Sequence, residues 1–236
     1  MFNKYLGVMA VATLCVALAG CDTVNDAIND ALPEIGIADG FLGLNGESGV
    51  EMQGTFSALA AAKSGDIQTT ASFARTESFA DLNNGDVTKI NAAATSLALM
   101  SLTLTRGTAA TLPTEITITS GSVTYSVSDA GATLSGSTFP LPFSLVFPRA
   151  SGCQETANSC VYSPTGLTRV ILALLDLNQA ESATLIQIIG QSTPSTPNSA
   201  TVSVSLTLAN PLTELQGMTA TARVGEFNTT IQPVLF

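Results

Sequence analysis

Val202-Ser203-Val204-Ser205-Leu206-Thr207-Leu208 alternates apolar and hydroxyl side chains without a break. Successive side chains of an extended chain point to opposite faces, so the stretch puts Val202, Val204, Leu206 and Leu208 on one side. Serine and threonine take the other side. The segment therefore reads as a strand with one buried and one solvated face, and the rest of the chain repeats that pattern.

Val50, Met52, Phe56 and Ala58 alternate with Glu51, Gln53, Thr55 and Ser57, and Ile67 to Arg75 alternates again. Lys63-Ser64-Gly65-Asp66 between them has turn chemistry, which predicts a hairpin. Two later segments change phase. Leu97 and Leu99 fall on odd positions but Met100, Leu102 and Leu104 on even ones, so either both faces are buried or a bulge lies near Leu99-Met100. Ile116 and Ile118 give way to Val123, Tyr125 and Val127 across Ser120-Gly121-Ser122, as a tight turn or a second bulge would require. Phe143, Leu145 and Phe147 share a face between prolines, which suits an edge strand. From Leu167 to Gln191 the spacing of Val170, Ile171, Leu174 and Leu175 fits a helix. Thr184 to Ile189 reads as strand, though, and with β neighbours on both sides a hairpin is preferred. The expectation is an all-β protein, an antiparallel β-sandwich or partly closed barrel over residues 50–236.

The chain carries a net charge of −10, and only 11% of its residues are charged. With no basic cluster it is not suited to nucleic acid, whose binding requires neutralising phosphates. It is equally unsuited to gripping anionic lipid heads. The absence of histidine excludes Ser-His-Asp triads, Cys-His pairs and histidine metal sites. Asp176 and Glu181 would pair across a hairpin, but flanking a polar turn they read as solvated. Asp81, Asn83 and Asp86 offer oxygen ligands in a glycine-containing loop that suits calcium in principle. Gly85 is fifth and Ala92 twelfth, where an EF-hand needs Gly sixth and Glu twelfth, so the stretch reads first as a turn. A terminal Phe236 is shared with outer-membrane barrels, but without tryptophan the chain lacks their aromatic girdles. No cofactor and no enzymatic activity are expected.

The N-terminus has another character. Lys4 precedes an uncharged run from Tyr5 to Gly20, the layout of an export signal and too short to span a bilayer comfortably. That run ends Leu18-Ala19-Gly20-Cys21, which resembles the lipobox of bacterial lipoproteins. The resemblance implies cleavage before Cys21, a diacylglycerol on its sulfur and acylation of the new amino group. Asp22 resembles an inner-membrane retention signal, which leaves the choice of membrane open. Cys153 and Cys160 are then the remaining thiols. In an exported chain they predict a disulfide rather than metal or redox chemistry.

Three parts follow: a signal peptide at 1–20, a lipidated Cys21 with a tether to residue 49, and a β domain at 50–236. Val24, Ala27, Ile28, Ala31 and Leu32 give the start of the tether the spacing of a short amphipathic helix, which Pro33 ends. Glycines punctuate the remainder. The expected function is that of a non-enzymatic binding or structural accessory module in the cell envelope, held by its lipid, with an envelope protein as possible partner. The alternative is a carrier of lipid or another hydrophobic ligand, and an enzyme comes third.

Overall fold

The computed structural model describes residues 35–36, 42–58, 69–78, 90–127, 133–135, 137–138, 144–178, 180–184 and 199–233. Its strands are β1 (Ile35–Gly36), β2 (Val50–Ala58), β3 (Thr69–Ser78), β4 (Ile90–Thr105), β5 (Glu115–Val127) and β6 (Thr133–Ser135). They continue with β7 (Ser137–Thr138), β8 (Leu145–Pro148), β9 (Ser159–Tyr162), β10 (Val170–Leu177), β11 (Ser199–Leu208) and β12 (Thr219–Pro233). Every pairing is antiparallel, and all the strands belong to one sheet.

The sheet curls into a nearly closed barrel. Its wall runs β5-β11-β3-β2-β12-β4, and two devices span the space between β5 and β4. At one level β8 pairs with β5 at residues 115–118 and β9 pairs with β4 at residues 102–105. Arg149 then stands opposite Tyr162 in an isolated bridge that joins the two short strands. At the other level β10 lies on β4, β7 on β10 and β6 on β5, with β6 and β7 one residue apart in sequence. Of the two expected architectures, the barrel is the one observed.

Alternation dictates which side faces in. Val202, Val204, Leu206 and Leu208 join Phe73, Met52, Leu102, Leu104, Ile116 and Ile118 in a single buried cluster. The outer face of β2, β3, β11 and β5 is largely hydroxyl: register sets Ser57, Thr70, Thr207 and Ser120 in one row and Thr55, Ser72, Ser205 and Ser122 in the next. Both phase changes are bulges. Val224 pairs with Leu99 but Arg223 with Ser101, which leaves Met100 as the extra residue of β4. Leu208 pairs with Ile118 but Thr207 with Ser120, so Thr119 is the extra residue of β5. Ser96, Ala98 and Leu99 are also buried, so around the first bulge both faces are covered.

One expectation needs correction. The tether was placed at 21–49, yet its described residues belong to the barrel. Ile35 and Gly36 pair with Ile231 and Thr230, and Leu42 and Leu44 lie within the core cluster. The physical reason is burial of two leucines that a free tether would leave in water. Of the segment Leu167 to Gln191, Val170–Leu177 is strand β10, residues 180–184 are helical, and residues 185–191 lie outside the described residues. Asn178 Oδ1 accepts the Ala180 and Glu181 amides, at 3.0 and 3.1 Å, and Glu181 Oε2 accepts the Asn178 amide at 3.0 Å. This reciprocal capping box satisfies amides at the first turn and starts the helical stretch after β10.

Candidate functional site

The barrel has two ends of different character. One, at Ile90, Leu177 and Pro233, receives the chain through β1. The other gathers the connections 106–114, 149–158 and 209–218.

At this second end the connections are bonded to one another. The Arg106 amide donates to Asn158 O at 2.8 Å and the Leu112 amide to Glu155 O at 2.7 Å. The Thr108 amide donates to Gly217 O at 3.1 Å. Asn210 holds the third connection to β5: its Oδ1 accepts the Thr117 amide at 2.9 Å, and its Nδ2 donates to Glu115 O at 3.1 Å. The Asn210 side chain thereby does what a backbone ladder would do beyond the last strand residue.

Between these connections lies an open cleft of about 590 Å³, lined by residues 109–115 with Glu155, Asn210, Thr213, Glu214 and Gln216. Its carboxylates come from Glu115, Glu155 and Glu214. Its chemistry is hydrogen bonding and attraction of positively charged groups.

Behind the cleft, Tyr162 is fully buried and donates its hydroxyl to Pro113 O at 2.7 Å. Arg149 Nη1 donates to Leu112 O at 3.0 Å. Burial pushes the Tyr162 phenol up to about 12, against a smaller downward pull from Arg149. The phenol is therefore a neutral structural donor over the physiological range.

Cys153 and Cys160 are bonded, with Cα atoms 6.0 Å apart, inside the usual range for a disulfide. The bond is the one expected from the sequence, and it closes the turn of the β8–β9 hairpin at the barrel seam.

Cys21, Asp81, Asn83, Asp86 and Phe236 lie outside the described residues. Asp176 is exposed on β10, and Glu181 is engaged in its capping box. Among the described residues no cluster of histidine, cysteine, aspartate and glutamate is suited to a metal. Among them, too, no helix is long and apolar enough to cross a membrane.

Sequence reasoning missed Glu226. It is 2% exposed and shares an inward face with Val224, as their partners Leu97 and Leu99 show. Its carboxylate accepts the Leu42 amide at 3.1 Å and the Leu44 amide at 3.0 Å. The signal was present: an acidic residue on the apolar phase of an alternating strand needs buried donors, and amides provide them.

No protein-family model matches the chain, and no curated relative matches it either.

Proposed function

We propose that this chain is a cell-envelope lipoprotein, anchored through Cys21, whose barrel serves as a non-enzymatic binding or structural accessory module. Leu18-Ala19-Gly20-Cys21 supports the anchor, and a Cys153–Cys160 disulfide is in keeping with an oxidising compartment. The observation that carries the choice of a surface role over a carrier role is the packed interior. A chamber large enough for a lipid chain would leave accessible area on the residues around it. Leu97, Leu99, Ile116, Leu206 and Leu208, from β4, β5 and β11, have essentially none.

The test has two arms. Mass spectrometry of the mature protein from native membranes is expected to show a diacylglycerol-modified, N-acylated Cys21 as first residue. An N-terminus elsewhere refutes the anchor. Organic extraction of the protein purified in detergent is expected to yield no stoichiometric lipid beyond the covalent one. A tightly held lipid at one per chain would establish the carrier function instead.

A further inference from the structure

We propose that a notch in the outer wall of the barrel, where β2 parts from β12, binds one residue of a neutral oligosaccharide whose chain then runs across β3 and β11. Such a site needs the wall alone and is independent of the state of Cys21.

β2 changes neighbours along its length. From Val50 to Gly54 it pairs with β12, and from Gly54 to Ala58 with β3. Gly54 is the one residue held on both sides, and a side chain there would strike the Phe73 ring and the Ser72 carbonyl oxygen. One residue further on, Thr55 is paired with Ser72 and Thr219 with Thr105, so the two strands separate between Thr55 and Thr219. The opening is a notch of about 300 Å³, lined chiefly by Gln53, Gly54, Thr55, Thr105, Thr219 and Thr221. That volume stands at the lower end of the range for small-molecule sites.

The lining selects its ligand by exclusion. It contains no charged side chain and no aromatic ring, in a chain of net charge −10. An anion would find no cation there and would meet the repulsion of the whole molecule. A cation would find no carboxylate, whereas Glu115, Glu155 and Glu214 offer three in the cleft at the loop end. An apolar ligand would strip water from hydroxyls and an amide that it cannot pair. A neutral sugar matches both characters of the surface: each threonine sets a hydroxyl beside a methyl, as a pyranose ring sets hydroxyls beside C–H groups. Thr105 Oγ1 donates to Ser159 Oγ at 3.4 Å. The hydroxyls of Thr55, Thr219 and Thr221 and the Gln53 amide have no protein partner among the described residues, which leaves them to a ligand. The wall then continues the same chemistry. Register places Ser72, Ser205 and Ser122 in line with Thr55, one hydroxyl per strand at about 4.8 Å. That step is close to the length of one sugar ring, so an extended glycan leaving the notch meets a hydroxyl at each residue.

Isothermal titration calorimetry of the full chain, held in a non-glycosidic detergent, tests the site. Cellohexaose and chitohexaose are the neutral probes, and hexagalacturonate, with a carboxylate on every ring, is the charged one. At least one neutral hexamer is expected to bind, and hexagalacturonate is not. Thr55→Val/Thr219→Val removes two hydroxyls while keeping side-chain size and strand propensity. It should weaken that binding about tenfold or more, as the loss of two ordinary hydrogen bonds would. Gln53→Ala reads the same notch should the double variant not fold, with an expected loss of about fivefold. Silence from both neutral hexamers overturns the assignment. So does equal binding of hexagalacturonate, or undiminished binding by the variants.

Discussion

Arg149 faces Tyr162 across the bridge that joins β8 to β9, and the Ala150 amide donates to Val161 O at 2.8 Å beside it. This pairing completes the wall at the loop end of the barrel. Tyr162 adds a second fastening, because its hydroxyl is tied to Pro113 in the connection that crosses that end.

The phenol makes this seam sensitive to alkali. Its value is near 10 in an unfolded chain and about 12 in the fold, so between those limits the folded state keeps a proton that the unfolded state has lost. Stability contributed by Tyr162 is thus complete below pH 10 and declines as pH rises toward 12, by about 3 kcal/mol in total. Urea unfolding at pH 9 to 12 should show wild type losing more stability than Tyr162→Phe. At neutral pH the variant should be weaker by about 1 kcal/mol, for the lost hydrogen bond. Parallel pH curves for the two proteins would contradict the assignment.

Replacing both Cys153 and Cys160 by alanine should cost about 2–3 kcal/mol, the chain-entropy value for so short a loop. The damage should be local. Hydrogen exchange is expected to accelerate at Ala150 and in β9, while Val202 to Leu208 in β11 keeps its protection. A thiol assay on unfolded, unreduced mature protein should find neither cysteine free.

Glu226→Ala leaves the buried Leu42 and Leu44 amides without the acceptor they have now, at a cost of about 2–4 kcal/mol. Glu226→Gln retains one carbonyl oxygen and should lose less. Thermal unfolding ranks the three proteins. Proteolysis within residues 42–49 should accelerate in the same order, since the carboxylate holds that segment to β12.

Gly107 and Gly166 both have positive φ, +56° and +71°, but only one is crowded. A Cβ on Gly107 would run into the carbonyl oxygen of Gly217, whereas one on Gly166 meets nothing within 4 Å. Gly166→Ala should therefore cost only the left-handed penalty, about 1–2 kcal/mol. Gly107→Ala should cost distinctly more, because two connections must separate. Melting temperatures of the two variants decide it.

Strands were legible wherever one face is buried, because a period of two is enforced by water on one side and core on the other. The phase changes near Leu99-Met100 and Ser120-Gly121-Ser122 were legible for the same reason, since an extra residue inverts the phase of everything after it. The structure was needed to choose a bulge and to place the second at Thr119. Partner order was not legible. Nothing in Val202 to Leu208 says that β3 lies on one side and β5 on the other, since hydroxyl rows pair equally well with many neighbours. Residues 42–49 were misread because glycines recur through the stretch 36–49, although Leu42 and Leu44 in it are two apart. Asn178 and Glu181 have capping-box spacing, in a polar stretch that reads equally well as a plain turn. Of the candidate site, the disulfide was visible in the chain. The cleft was not, because its walls come from connections distant in sequence.

The completed wall bears on how so weakly charged a protein avoids sticking to itself. Open sheets commonly guard their outermost strands with lysines, prolines or twisted bulges, because exposed amides and carbonyls recruit other chains. Here that burden falls on the β8–β9 hairpin, which occupies β5 at residues 115–118 and β4 at residues 102–105. Detaching it would uncover two ready templates for strand addition, flanked by Thr103, Thr105, Thr117 and Ile118 rather than by a row of like charges. The disulfide at the hairpin's tip is accordingly a safeguard against fibrous self-association as much as a source of stability.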